Sequence, residues 1–360
     1  MHLISKRDSI EGMSQSKILV ASLVGAALLA GTMAAQQKGD APKGGAPKGA
    51  PAFTNPAPPH DYTITAIPGV INAGAKWAKA WEGDHTADGM AGTKDGGLLM
   101  AQEQTNGINK IDSKDKATLK FLPSVGPGGI GFTKKGDVIV VERGCTDPGL
   151  KEKVNQCADK PAVVQLTPTR KVLADNMDGK GLGRVNDLVV SSTGHVYFTQ
   201  TGLFHMDPSG KVTQAGENLF TNGVMLSPDE KTLYVTNRAS VAAFDVQKDG
   251  SLKNQREFGK LKAGGDGMAI DAQGRLYVTM NDGVEVLDKT GKSLGLIPTP
   301  RAAITTAFSG PGKKFLYVGT MGATIGPNGT EFATTPAERN TAMTVYKLEM
   351  LTPGYKGRAK

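Results

Sequence analysis

Short apolar runs recur along this chain, and six of them are built alike: Leu98-Leu99-Met100, Val138 to Val141, Val196-Tyr197-Phe198-Thr199, Leu233-Tyr234-Val235-Thr236, Leu276-Tyr277-Val278-Thr279 and Phe315 to Val318. Each follows a turn of similar make (KDGG, KKGD, STGH, PDEKT, AQGR, PGKK), and another apolar stretch, such as Leu188-Val189-Val190 or Met268-Ala269-Ile270, precedes the turn. Paired β-forming runs joined by Gly- or Asp-containing turns predict hairpins, with glycine supplying the positive φ that many such turns require. The residues opening the six units are Asp88, Gly128, Asn186, Asn222, Asp266 and Ile304, and the second run begins 10, 10, 10, 11, 10 and 11 residues later. Unit spacings are 40, 58, 36, 44 and 38, the long one holding an insertion around Cys145 and Cys157. Spacings near forty with several short strands per unit predict an all-β, six-bladed β-propeller over residues 61–352. Two β-sandwiches would not keep this register six times. Further strands are expected at Val241 to Val246 and Val284 to Leu287, with residues 61–80 adding a strand to the last blade and closing the ring.

The first strand of each propeller blade lines the central channel, so the six opening residues converge on one mouth. Four of them, Asp88, Asn186, Asn222 and Asp266, carry a side-chain oxygen. Two carboxylates among oxygen donors suit a hard divalent cation such as Ca²⁺, and zinc is less natural without His or Cys. Asp88-Gly89, Asn222-Gly223 and Asp266-Gly267 are also ordinary turn dipeptides, which is the competing explanation for each taken singly. The recurrence at one phase in four blades favours a site.

The segments GRVNDLVVSSTGHVYFT (183–199), TNGVMLSPDEKTLYVTN (221–237), GDGMAIDAQGRLYVT (265–279) and GLIPTPRAAITTAFSGPGKKFLYV (295–318) resemble, in order, the SMP-30/gluconolactonase/LRE-like family of six-bladed propellers. That resemblance spans about residues 75–350 and implies a divalent metal, often calcium, in the channel, and a lactone-hydrolysing activity. By position it puts Asn222 and Asp266 on metal ligands, Asn186 near metal and substrate, and Arg184 on a substrate contact. The family's remaining ligand is a Glu in an EGPxW motif; the stretch here is Ala87-Asp88-Gly89-Met90, so Asp88 replaces it. Gln200 stands where the family commonly has Asp. The implied function is a metal-dependent hydrolase opening a sugar lactone, with Asp266 as general base and Arg184 and Asn186 holding the substrate. Zn²⁺, Mn²⁺ and Mg²⁺ are alternatives to Ca²⁺. A hydrolase of another ester or phosphotriester at the same metal, or a non-catalytic binding propeller with a structural metal, are the competing functions.

Outside the repeats, Lys6, Arg7 and Lys17 precede an apolar run from Ile18 to Ala30, and small residues continue through Ala35. Residues 1–35 therefore read as an export signal, making the mature chain periplasmic or secreted, with an uncleaved membrane anchor as the alternative. Residues 36–60, rich in Gly, Pro, Ala and Lys, read as a disordered tether, and 353–360 as a basic C-terminal tail. The 47 glycines among 360 residues are nearly double the usual share of about 7%, an excess assigned to the tether and the recurring turns. Of the net charge of +8 the first 35 residues give +1, and the rest is spread out as a solvated cationic surface. No basic stripe interleaved with aromatics marks a nucleic-acid partner. A small-molecule lactone is the expected partner and a monomer the expected state. In an exported chain Cys145 and Cys157 are expected to form a local disulfide. Ser227 and Ser309 lack a nucleophile-elbow motif. His85 reads as a loop residue near the mouth, His195 and His205 as packing residues, Glu142 and Arg143 as a surface ion pair or pocket residues, and Trp77 and Trp81 as packing for the closing strand.

Overall fold

A computed structural model describes residues 59–144, 159–324 and 341–360. Residues 1–58, which hold the expected export signal and nearly all of the expected tether, lie outside the described residues, as do Cys145 and Cys157. Six four-stranded antiparallel sheets form the blades of a β-propeller. Their inner strands are Met90–Gly92, Pro127–Phe132, Leu188–Val190, Thr221–Leu226, Met268–Ile270 and Ala303–Ser309. The second strands begin at Leu98, Val138, Val196, Thr232, Leu276 and Phe315, in close agreement with the sequence phase. The expected further strands appear as Ser240–Val246 and Gly283–Leu287, each the third strand of its blade.

The second strands are apolar on both faces because each blade is sandwiched between two others. Side chains alternate across a strand, so Phe198 packs with Val141 and Val163 of the second blade, while its neighbour Tyr197 packs with Leu226 and Val235 of the fourth. Tyr277 faces Phe308 of the sixth blade edge-on, at 5.0 Å between centroids, and the adjacent Val278 joins Met225 of the fourth. Full burial of each such side chain contributes about 1.5–3 kcal/mol. The turns behave as read: Gly194 and Gly274 take φ of 89° and 78° between first and second strands.

The ring closes through Ala78–Gly83, the outer strand of the last blade, paired antiparallel with Met343–Glu349. Trp77 is buried just before it and donates Nε1–H to the Pro298 carbonyl at 2.8 Å. The C-terminal segment, by contrast, is not a solvated basic tail. Gly354 bridges Asp271, Tyr355 N–H bonds the Ile270 carbonyl, and Ala359 O accepts from Gly92 N–H at 2.7 Å. Arg358 is buried against Glu230 (2.9 Å) and the Ser227 carbonyl (2.8 Å), and the Lys360 ammonium is buried on Asp187. Internal acceptors thus face both cations. The segment thus enters the channel from the turn face, opposite the opening residues, beside a cavity of about 1110 Å³ lined in part by Leu99, Ile130, Leu188, Met225 and Tyr355.

Candidate active site at the mouth of the channel

The Asp-Gly and Asn-Gly pairs are not hairpin turns. Asp88 N–H bonds the Ala101 carbonyl and Ala101 N–H bonds the Gly89 carbonyl, so two inner-strand residues face one neighbour. The same arrangement sets Asn186 and Asp187 against Thr199, and Asp266 and Gly267 against Thr279; in the fourth blade the register shifts between Thr221 and Val224. A bulge re-aims the side chain it carries, and here it stands beside the lumen. The glycine that follows is required by close approach between blades: a Cβ at Gly89 would lie 2.0 Å from the Gly128 carbonyl oxygen, and one at Gly223 2.3 Å from that of Asp266. Gly223 N–H instead bonds the Asp266 carbonyl at 3.1 Å, and Gly267 N–H that of Ile304 at 3.0 Å. Part of the glycine surplus therefore belongs to the site itself.

The four predicted donors come together at this mouth. Asn186 Nδ2 donates to Asn222 Oδ1 at 2.6 Å. Asp88 is linked to Asn186 by Arg143, whose Nη2 donates to Asp88 Oδ2 at 2.6 Å and also to Asn186 Oδ1. Asp266 is adjacent through its backbone bond from Gly223, and its carboxylate accepts no hydrogen bond from the described residues. Burial, reinforced by the Asp88 and Asp187 charges, pushes the Asp266 pKa well above the ordinary carboxylate range. For Asp88 burial acts in the same direction, but Arg143, with Arg184 and Lys360, outweighs it and holds the pKa below the usual range. Arg184, a third exposed, is clamped by Glu103 through a bond of 2.8 Å to Oε2 and a second to Oε1.

Two carboxylates and two amide oxygens form a hard-donor set that suits a divalent cation. Among the described residues no three His, Cys, Asp or Glu side chains converge to hold a metal by themselves, so a cation at this ring needs the asparagine amides as well. The Asp266 carboxylate, half-buried beside the Asp88 and Asp187 charges, is the ring carboxylate that no cation hydrogen-bonds among the described residues, whereas Asp88 has Arg143. The residues fit the ion on that account.

Arg143 and Glu103 are the principal residues that the sequence leaves uncertain or unseen. Arg143 does not pair with Glu142, which is buried on Arg170 (2.5 Å) and Ser124 (2.9 Å); it pairs instead with Asp88 and Glu103. A signal for both exists: Glu103 and Arg143 each stand five residues after the start of their blade's second strand. The threonines ending the VYFT and LYVT runs are the other omission. Thr199 Oγ1 donates to the Asn222 carbonyl at 2.5 Å and Thr236 Oγ1 accepts from Asn222 N–H at 3.1 Å, fixing the backbone of that residue. His85 lies near Asp84 before the ring (3.8 Å), and His195 and His205 pair with each other at 2.9 Å within the third blade.

A six-bladed propeller with a polar ring around one channel mouth defines the class. The model of the SMP-30/Gluconolactonase/LRE-like region matches residues 122–322, more than half of the chain, and the protein belongs to that family. It is similar to the gluconolactonase of Zymomonas mobilis, 34% identical over 37% of this chain and 46% of that one, so it spans less than half of that relative's length. Among solved structures, a gluconolactonase of Xanthomonas campestris has a TM-score of 0.63 at 20% identity, covering 82% of this chain and 98% of that one. A calcium-binding protein, regucalcin, of Agrobacterium tumefaciens has a TM-score of 0.57 at 15% identity, covering 78% and 98%. At these identities the structural likeness is one of fold.

Proposed function

We propose that the protein is an exported hydrolase that opens a sugar lactone, of which a gluconolactone is the leading example, at the mouth of the channel with the help of a divalent cation, Ca²⁺ first. The observation that carries this reading is the ring itself: an unpartnered, raised-pKa Asp266 among Asp88, Asn186 and Asn222, with a clamped arginine at its rim. The names of similar proteins, a gluconolactonase and a calcium-binding regucalcin, support the substrate class and the ion.

Asp88, Asn186, Asn222 and Asp266 would hold the cation. When bound, such an ion supplies polarisation of the lactone carbonyl and acidification of a nearby water. Asp266, placed beside the ion, is the proton acceptor for that water. Arg184 is kept at the rim by Glu103 and offers cationic N–H donors to substrate hydroxyls or the ring oxygen. Asn186, a ring donor two residues after this arginine, is the second residue offered to the substrate.

The test is a lactone panel assayed on chelator-stripped protein, with Ca²⁺, Zn²⁺, Mn²⁺ and Mg²⁺ added back singly. Turnover restored by one or more ions is expected. No turnover with any of them, together with calcium-dependent melting, would favour a binding propeller with a structural metal. Fractionation of the producing cell, with N-terminal sequencing of the product, tests export.

A further inference from the structure

We propose that Arg143 is a resident cation of the polar ring: a positioning residue that holds Asp88 and Asn186 and obliges a divalent ion to compete with its guanidinium for them. The idea rests on the divalent-ion reading above and concerns what sets the affinity for that ion.

The guanidinium is built into the ring. Its side chain is 4% exposed. Nε donates to the Val185 carbonyl at 3.2 Å, Nη1 to Glu103 Oε2 at 2.8 Å, and Nη2 to Asp88 Oδ2 at 2.6 Å, with the Asn186 side-chain oxygen also in reach. Burial alone would favour the neutral form, but Asp88 and Glu103 more than offset it and hold the group charged. Space for it comes from the second blade's opening residue. A Cβ at Gly128 would lie 2.8 Å from Arg143 Nε and 2.5 Å from the Asn186 carbonyl oxygen. This blade, one of the two whose opening residue offers no side-chain oxygen, thus admits a cation from the end of its next strand.

The consequence for ligands follows from donor chemistry. A guanidinium has donors only, so the Asn186 amide turns its oxygen toward Arg143. Its NH₂ group then faces Asn222 and occupies that oxygen at 2.6 Å. One arginine therefore engages Asp88 directly, Asn186 directly and Asn222 through Asn186. Asp266 is left as the ring carboxylate without a hydrogen-bond donor among the described residues. A divalent ion that recruited all four oxygens would compete with these donors for their lone pairs and sit beside a fixed positive charge.

Calcium titrated calorimetrically into the chelator-stripped full chain decides the matter, with wild type, Arg143→Gln and Arg143→Lys run side by side and each melted with Ca²⁺ and with EDTA. Arg143→Gln is expected to bind Ca²⁺ at least about tenfold more tightly than wild type, with a larger gap between the two melting temperatures. Arg143→Lys cannot bridge Asp88 and Asn186 as the planar fork does, and a gain of about threefold is expected. That variant decides if Arg143→Gln fails to fold in both buffers. A merely structural arginine would lower stability without raising affinity. Unchanged or weaker binding in the folded variants, with wild type binding an ion, overturns the role of Arg143 and leaves the divalent-ion reading standing. No binding of Ca²⁺, Zn²⁺, Mn²⁺ or Mg²⁺ by any of the proteins overturns both.

Discussion

Replacing Asp266 by Asn should move activity and stability in opposite directions. The carboxylate sits among Asp88 and Asp187, accepts no hydrogen bond from the described residues, and has its pKa pushed well up by burial and those two charges. An amide of the same shape removes the repulsion. Asp266 is half-buried, so solvent screens part of that repulsion, and relieving it is worth about 1 kcal/mol. In EDTA the variant should therefore be more stable than wild type by about that amount, read as a higher urea midpoint with an unchanged slope. Added Ca²⁺ should narrow or reverse the gap, because the wild-type carboxylate then gains the partner it lacks.

Loss of the proposed base should lower kcat on a gluconolactone by about 10²–10⁴-fold, equivalent to about 3–5 kcal/mol of barrier. Continuous proton release at fixed pH measures it. Two results would refute the reasoning separately. Retained turnover removes Asp266 from the chemistry, whereas a variant less stable than wild type in EDTA means the carboxylate has a partner that the charges around it do not reveal. An amide that loses both activity and stability would mark Asp266 as structural.

Arg184→Met should raise KM by about tenfold or more and change kcat less, because the guanidinium at the rim binds substrate without touching the reacting water; a pure kcat effect would contradict that placing. Lys360→Met leaves Asp187 buried beneath the ring without its ammonium, and breaking a buried pair in this way costs about 3 kcal/mol; an unchanged urea midpoint would show that the C-terminal segment does not seal the channel in solution. Lys313, pressed on the Tyr355 and Arg358 carbonyls, is lowered to about 8 by burial and by Arg358, from 10.5. Between about pH 8 and 10.5 the unfolded chain then holds the extra proton, so this residue makes stability rise with pH across that window, by about 3 kcal/mol in all. Lys313→Met should flatten the wild-type profile there, and parallel profiles would disprove the assignment.

The phase of the propeller was legible because one physical requirement repeats. A second strand buried on both faces, as Tyr197 and Phe198 are, cannot carry polar alternation, and a tight turn must precede it. The ring donors were legible for the same reason, being one register position seen four times. What the ring does with charge was not. Arg143 meets Asp88 across 55 residues and Lys360 meets Asp187 across 173, and nothing in the local pattern distinguishes either from a solvated surface cation. The competing turn explanation of the Asp-Gly and Asn-Gly pairs fails for a physical reason: their glycines answer to a neighbouring blade's backbone, as at Gly223, rather than to a positive φ.

The hidden cations change what Asp88 means. Judged as a shortened Glu, it is a weaker ligand that lengthens a contact or inserts a water. In the structure its carboxylate is already half of an ion pair, and the arginine that completes the pair enters through space left by Gly128. The shorter side chain and the guanidinium are then one feature: Asp88 stops at the ring wall, where Arg143 can reach it, and the charge that a longer carboxylate would offer to an ion is met by the protein. Asp266, across the ring and without such a partner, is where a cation and a proton both have most to gain.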